Sequence, residues 1–277
     1  MVRKPGSPAR LGQGGFTLIE MIMVLALSGI LMAVVAMIMQ FPITAYYDTL
    51  RRAQLVNGAD TAMRRIAQEV RTALPNSLRQ YDFGADSCIM LLPVVGGGLY
   101  RTEPATDGSG DVLSFNGQDS AFDVLTGANL PDFSTATYHA VIYNLGIAGA
   151  DAYATPTDKN RVQINGASST ANRIVLASSN RFPFQSPGRR FMVMPNYSVI
   201  YSCVGDKLYR TTGSVSSGTL SACPGSGQLL AERVASCKFY YASGVTAAAG
   251  LLSVRLGVAE GGETVTMYQD IHVDNAP

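Results

Sequence analysis

The chain has no tryptophan, only two histidines (His139 and His272) and four cysteines, and charged residues make up just 15% of it. Each shortage narrows what it can be. Two histidines far apart in sequence, with no G-x-S-x-G, do not supply the converging nucleophile, base and orienter of a hydrolase. With no C-x-x-C spacing and so few histidines, zinc ligation has little to start from. Charge is nearly balanced, at 21 Lys+Arg against 20 Asp+Glu, so bulk charge argues against a nucleic-acid partner, which calls for a concentrated basic face. Gly96-Gly97-Gly98 lacks the Lys and following Ser or Thr of a phosphate loop and reads as a flexible connector. The expectation is a protein that is not an enzyme, with no catalytic residue, no cofactor and no nucleic acid.

What the chain does have is one long apolar run, residues 16–41, carrying a single carboxylate, Glu20. As a helix these 26 residues extend roughly 39 Å, more than the ~30 Å hydrocarbon core of a bilayer requires. A carboxylate among lipid tails costs at least ~2.5 kcal/mol, so such a residue is a functional candidate with a partner to be named. A simple signal anchor or a cleaved secretory signal would also fit the basic flank Arg3, Lys4 and Arg10. Neither explains Glu20, and cutting at Ala26-Leu27-Ser28 would leave residues 30–41 as an apolar stub on the product.

The hexapeptide Gly15-Phe16-Thr17-Leu18-Ile19-Glu20 resembles the class III signal of type IV pilins and pseudopilins. That resemblance implies cleavage between Gly15 and Phe16 by a prepilin peptidase and N-methylation of Phe16. It also implies an assembly charge pair between Glu20 and the Phe16 amine of a neighbouring subunit. Glycine suits the cleavage position because it can lie extended in a narrow cleft. Loss of residues 1–15 removes three basic and no acidic residues, which turns a formal charge of +1 into −2.

Pro42 follows the apolar run and favours a kink rather than a stop. Val56, Ala59, Met63, Ile66 and Val70 then recur at helical spacing, with Arg51, Arg52, Arg64, Arg65, Glu69 and Arg71 on other faces, until Pro75 ends the pattern. Past residue 77 the texture is β-rich. Strands are expected at 88–95, 112–115, 138–143, 161–164, 173–177, 190–194, 198–204, 208–212, 229–241, 251–258 and 264–273, with loops at 117–130 and 146–158. The expected fold is α+β: a long N-terminal helix, transmembrane over 16–41 and amphipathic over 42–75, packed on an antiparallel head of two sheets over 76–277.

Cys88, Cys203, Cys223 and Cys237 all lie beyond the apolar run, on the side where disulfides persist. Three pairings are open; the preferred one joins Cys203 to Cys223 across a hairpin and Cys88 to Cys237. Asp107, Ser109 and Asp111 form a weak calcium candidate, but the distal bidentate Glu is missing, so a solvated turn is favoured and no metal is expected.

Further stretches resemble minor pilins of the mannose-sensitive haemagglutinin (MSHA) pilus. They are Arg51-Arg52-Ala53-Gln54-Leu55-Val56, Ala73-Leu74-Pro75-Asn76-Ser77-Leu78-Arg79, Gly96-Gly97-Gly98-Leu99-Tyr100-Arg101, Ser186-Pro187-Gly188-Arg189-Arg190-Phe191, Leu208-Tyr209-Arg210 and His272-Val273-Asp274-Asn275-Ala276-Pro277; residues 102–172 match poorly. This resemblance implies a subunit anchored in the inner membrane, with its N-terminus cytoplasmic and its head periplasmic, that primes or caps pilus assembly. Its partners would be prepilin peptidase, other minor and major pilins and the assembly platform. A J-type pseudopilin of type II secretion shares the leader and a large β-rich head. A pilus-tip adhesin is the other alternative, with exposed loops between 102 and 172 as its candidate surface.

Overall fold

A computed structural model describes residues 15–125, 128–154, 160–215, 218–246 and 249–277, with the backbone alone at 41–44 and 245–246. Helix α1 (Leu18–Arg71) is followed by fourteen strands: β1 (Arg79–Phe83), β2 (Asp86–Leu91), β3 (Gly96–Leu99), β4 (Asp119–Asp123), β5 (Tyr138–Val141), β6 (Arg161–Gln163), β7 (Arg173–Asn180), β8 (Arg190–Pro195), β9 (Ser198–Val204), β10 (Lys207–Gly213), β11 (Gln228–Glu232), β12 (Val234–Thr246), β13 (Ala249–Glu260) and β14 (Glu263–Asp274). The chain divides into two units, residues 1–52 and 53–277. Among the described residues the first holds α1 up to Arg52, with residues 15–17 before it. The second holds the rest of α1 and every strand among the described residues.

The α+β expectation holds, with four antiparallel sheets among the described residues in place of two. Their strand orders are β1-β2-β9-β10-β11, β12-β13-β14, β3-β8-β5-β6 and β4-β7. Alternation along β2 and β9 gives the five-stranded sheet two apolar faces. Ile89, Leu91, Val199, Tyr201 and Cys203 share one core with Leu55, Ala59, Met63, Ile66 and Val70 of α1 and with Phe239, Leu252, Val254 and Ile271 of the three-stranded sheet. Cys88, Met90 and Ile200 pack on the opposite face with Val141, Tyr153, Met194 and Cys223. Ala59, Met63, Ile66 and Val70 of the stripe read from sequence are buried, whereas Leu55 takes the place of Val56, which is only half-buried. Glu69 adds a polar tie: Arg210 Nε on β10 donates to both its carboxylate oxygens, at 3.0 and 3.1 Å.

β2 and β9 are paired neighbours, yet the chain leaves the sheet after one and returns only at the other. The excursion builds a second lobe. Bridges Ile164↔Leu176 and Tyr100↔Val124 link its two sheets, so that among the described residues the pairing order closes as a ring, β3-β8-β5-β6-β7-β4-β3. Among the described residues each of these six strands thus has a pairing neighbour on either side. Its interior is a separate core rich in aromatic side chains: Tyr100, Phe122, Phe133, Phe182 and Phe191 with Ile142, Ile164, Ile174 and Val193.

Several strand expectations are corrected by this lobe. Residues 112–115 form no strand, whereas β4 falls within the expected loop 117–130. Gly96–Leu99 is a ring strand and not a flexible connector, because the chains approach too closely for side chains. A Cβ at Gly97 would lie 2.6 Å from the Phe191 carbonyl oxygen, and one at Gly98 would lie 2.7 Å from the Ala128 Cβ. The single run expected at 229–241 is two strands in different sheets, broken at Arg233, whose φ of 58° is left-handed. The helix continues through Pro42 and ends at Arg71, a turn before Pro75.

Candidate functional site

Gly15, Phe16 and Thr17 precede the first helical turn and are exposed, and nothing crowds the Gly15 position within 4 Å. Thr17 caps the helix. Its carbonyl oxygen accepts from Glu20 N at 3.1 Å and Met21 N at 3.2 Å, and its Oγ1 accepts from Glu20 N at 3.4 Å. Glu20 thereby sits in the first turn, where a carboxylate meets the positive end of the helix dipole. Thr17-x-x-Glu20 has capping-box spacing, a signal present in the sequence but masked by reading Glu20 only as a charge within an apolar run. Thr17 and Glu20 thus start the helix right after the Gly15-Phe16 junction.

The rest of this unit is a surface without a covering. The apolar side chains of residues 16–39 are exposed, Phe16 at 78%, and the helix is long and apolar enough to cross a membrane. Leaving each large apolar side chain in water forfeits about 1.5–3 kcal/mol, so this surface calls for lipid or other helices. Ala26, Gly29, Ala33 and Ala36 are exposed and Ser28 half-exposed along it. The basic flank Arg3, Lys4 and Arg10 lies outside the described residues.

Residues 10–36 match the family model described as the prokaryotic N-terminal methylation motif. No curated protein and no solved structure matches the chain. The motif together with the apolar helix supports a type IV pilin-like or pseudopilin class and a single-pass membrane anchor. It implies processing by prepilin peptidase and pilus-type machinery in general.

In the head, the four cysteines form Cys88–Cys223 and Cys203–Cys237, which corrects the preferred pairing. Strand parity explains the difference. Cys203 on β9 pairs in register with Ser87 on β2, and Cys88 with Ser202, so neighbouring cysteines point to opposite faces. Cys203 meets Cys237 in the core shared with α1; Cys88 meets Cys223 on the face turned to the second lobe.

The calcium candidate is divided between a turn and an arginine pair. Asp107 Oδ1 accepts from the backbone N–H and the hydroxyl of Ser109 in its own turn, at 2.9 and 2.6 Å. Asp111 instead pairs with Arg173, whose other guanidinium nitrogen lies 3.6 Å from Asp123. Partial burial raises the Asp111 carboxyl above its ordinary range against the pull of Arg173, and Asp119 and Asp123 reinforce the rise. Asp107 and Asp111 face separate partners, and among the described residues no three His, Cys, Asp or Glu side chains are grouped to hold a metal.

The two histidines also lie apart. His139 on β5 is partly buried with its Nδ1 unpartnered, and burial, then the Arg161 guanidinium, lower its pKa to about 4. His272 is exposed on β14.

Proposed function

We propose that this chain is a minor pilin of an MSHA-type pilus, most like MshO, which primes or caps pilus assembly and catalyses no reaction. Residues 1–15 are the leader removed by prepilin peptidase, Phe16 becomes the methylated N-terminus, and residues 16–41 anchor the protein in the inner membrane. The N-terminus starts in the cytoplasm and the head lies in the periplasm. Other minor and major pilins and the assembly platform are its partners.

The observation that carries this reading is Glu20, the one carboxylate in the run 16–39, whose apolar side chains are exposed. In a bundle of like helices, the Phe16 amine of a neighbour would compensate it in low dielectric, where charge pairs are strong and fix register. The scattered sequence resemblances favour the MSHA-type member over a J-type pseudopilin of type II secretion. For the tip-adhesin alternative, 102–172 contributes the short strands β4, β5 and β6, and its connecting segments stay the candidate surface.

The test replaces Glu20 by Gln in a strain deleted for the native copy. Surface pili are expected to fall at least tenfold while type II secretion continues. Normal piliation with the variant would sink the electrostatic role, and lost secretion with intact pili would favour the pseudopilin.

A further inference from the structure

The apolar run of α1 does not end on a charge. After Glu20, residues 21–47, 27 in all, carry no charged side chain, and the next charged residue is Asp48. The last two of them are Tyr46 and Tyr47, exposed at 63% and 58%. Their rings meet edge to face, with centroids 6.0 Å apart. Tyrosine joins an apolar body to a hydroxyl tip, the combination that gathers where hydrocarbon gives way to lipid headgroups.

Distance along the helix singles out that level. Tyr46 lies 26 residues beyond Glu20, which is roughly 39 Å along the axis and roughly 37 Å across a bilayer at the usual ~20° tilt. The hydrocarbon core accounts for ~30 Å of this, and one headgroup layer for about 5–7 Å more. With Glu20 at one hydrocarbon boundary, Tyr46 and Tyr47 therefore reach the headgroup layer of the opposite leaflet. Charge plays no part in this match. The turn that follows carries one acid and two arginines, of which Asp48 and Arg51 pair at 3.6 Å with both side chains well exposed. Leu50, one helical turn beyond Tyr46, is exposed as well and continues its apolar side.

We propose that Tyr46 and Tyr47 are an interfacial anchor that seats in the glycerol and phosphate layer of the leaflet opposite Glu20 and sets the depth at which α1 rides in the membrane. This role rests on the reading of α1 as a membrane anchor, and it carries lipid contact past residue 41 to residue 47. Drawn into hydrocarbon, either hydroxyl would lose its hydrogen-bond partners; pushed into water, either ring would lose its apolar cover. The pair thus resists sliding in both directions. Held at that depth, the helix keeps the Gly15-Phe16 junction at the other surface, open to a peptidase.

The chain has no tryptophan, so Tyr46→Trp and Leu31→Trp each introduce a single fluorescent depth probe. The full chain is reconstituted in vesicles of phosphatidylcholine and phosphatidylglycerol that carry a nitroxide quencher either at the headgroup or deep on the acyl chain. Leu31 falls roughly 16 Å beyond Glu20, at mid-bilayer. Its probe should be quenched about threefold more by the deep label, and the Tyr46→Trp probe about threefold more by the headgroup label. Replacing both tyrosines by alanine, exposed changes checked for unchanged melting, should cut the deep-to-shallow ratio of the Leu31→Trp probe about twofold as the helix slides. Without deep quenching of the Leu31→Trp probe, the membrane-anchor reading falls and the interfacial anchor with it. With that quenching in place, a Tyr46→Trp probe quenched by neither label, as in water or against another protein, or chiefly by the deep one, overturns the interfacial anchor alone. So does a Leu31→Trp ratio left unchanged by the double alanine variant.

Discussion

Helix α1 carries two apolar surfaces that meet opposite fates. From Leu18 to Met39 the apolar side chains are exposed, whereas Leu55, Ala59, Met63, Ile66 and Val70 are buried against the sheets of the head. The difference lies in pattern more than in hydrophobicity. An all-round apolar helix has no polar side to turn to water, so it needs lipid or other helices; a single stripe needs only one partner surface. One helix thus joins a segment that requires an outside environment to one that the chain satisfies itself.

Core truncations separate these surfaces most strongly. Ile66→Ala is expected to destabilise the head by about 2–5 kcal/mol, while Ile30→Ala leaves denaturant unfolding of the micelle-bound chain unchanged. Phe122→Ala should cost about 3–5 kcal/mol in the second core and raise amide exchange mainly within 96–195. Equal effects at Ile30 and Ile66 would erase the distinction between the two halves. The next largest effect concerns the disulfide in the core shared with α1. Cys203→Ala with Cys237→Ala should cost about 2–4 kcal/mol, and mass mapping of the double variant should find Cys88 still joined to Cys223. Any peptide linking Cys203 to Cys223 in the native chain would contradict the parity argument.

The smallest effect is one of pH. His139 has a folded pKa of about 4 against an ordinary 6.5, so between those values the unfolded chain binds more protons than the folded one. Its contribution therefore shrinks as pH falls from 6.5 to 4, by at most about 1.4 kcal/mol per pH unit and less after solvent screening. The sign is opposite to that of a histidine with an acidic partner, because burial and then Arg161 oppose its charge. Denaturation of His139→Gln should show a flatter slope than the native chain across that window; an unchanged slope would remove His139 as the cause.

Much of the first core was legible because its signals are periodic. The 3–4 spacing from Ala59 to Val70 marks the buried stripe, and the alternation of Val199, Tyr201 and Cys203 marks one face of β9. In the ring lobe β5, β6, β7 and β8 fall where strands were expected, and β3 and β4 were the hidden ones. β3 is three glycines and a leucine, chosen for close approach and not for β-propensity, and β4 begins in Asp-Ser, which reads as a turn. The break at Arg233 needs a left-handed residue that sequence does not announce. The cysteines were visible, but their partners depend on register, and register is a property of the folded sheet. At the N-terminus the leader and Glu20 stood out, while the Thr17 cap went unread because it is a backbone device within a side-chain pattern.

The most direct measurement is the mass of the N-terminal peptide of the mature protein from cells that contain prepilin peptidase. The account predicts a chain beginning at Phe16 with one methyl group on its amine. A chain that keeps residues 1–15, or one cut after Ala26-Leu27-Ser28, would contradict it.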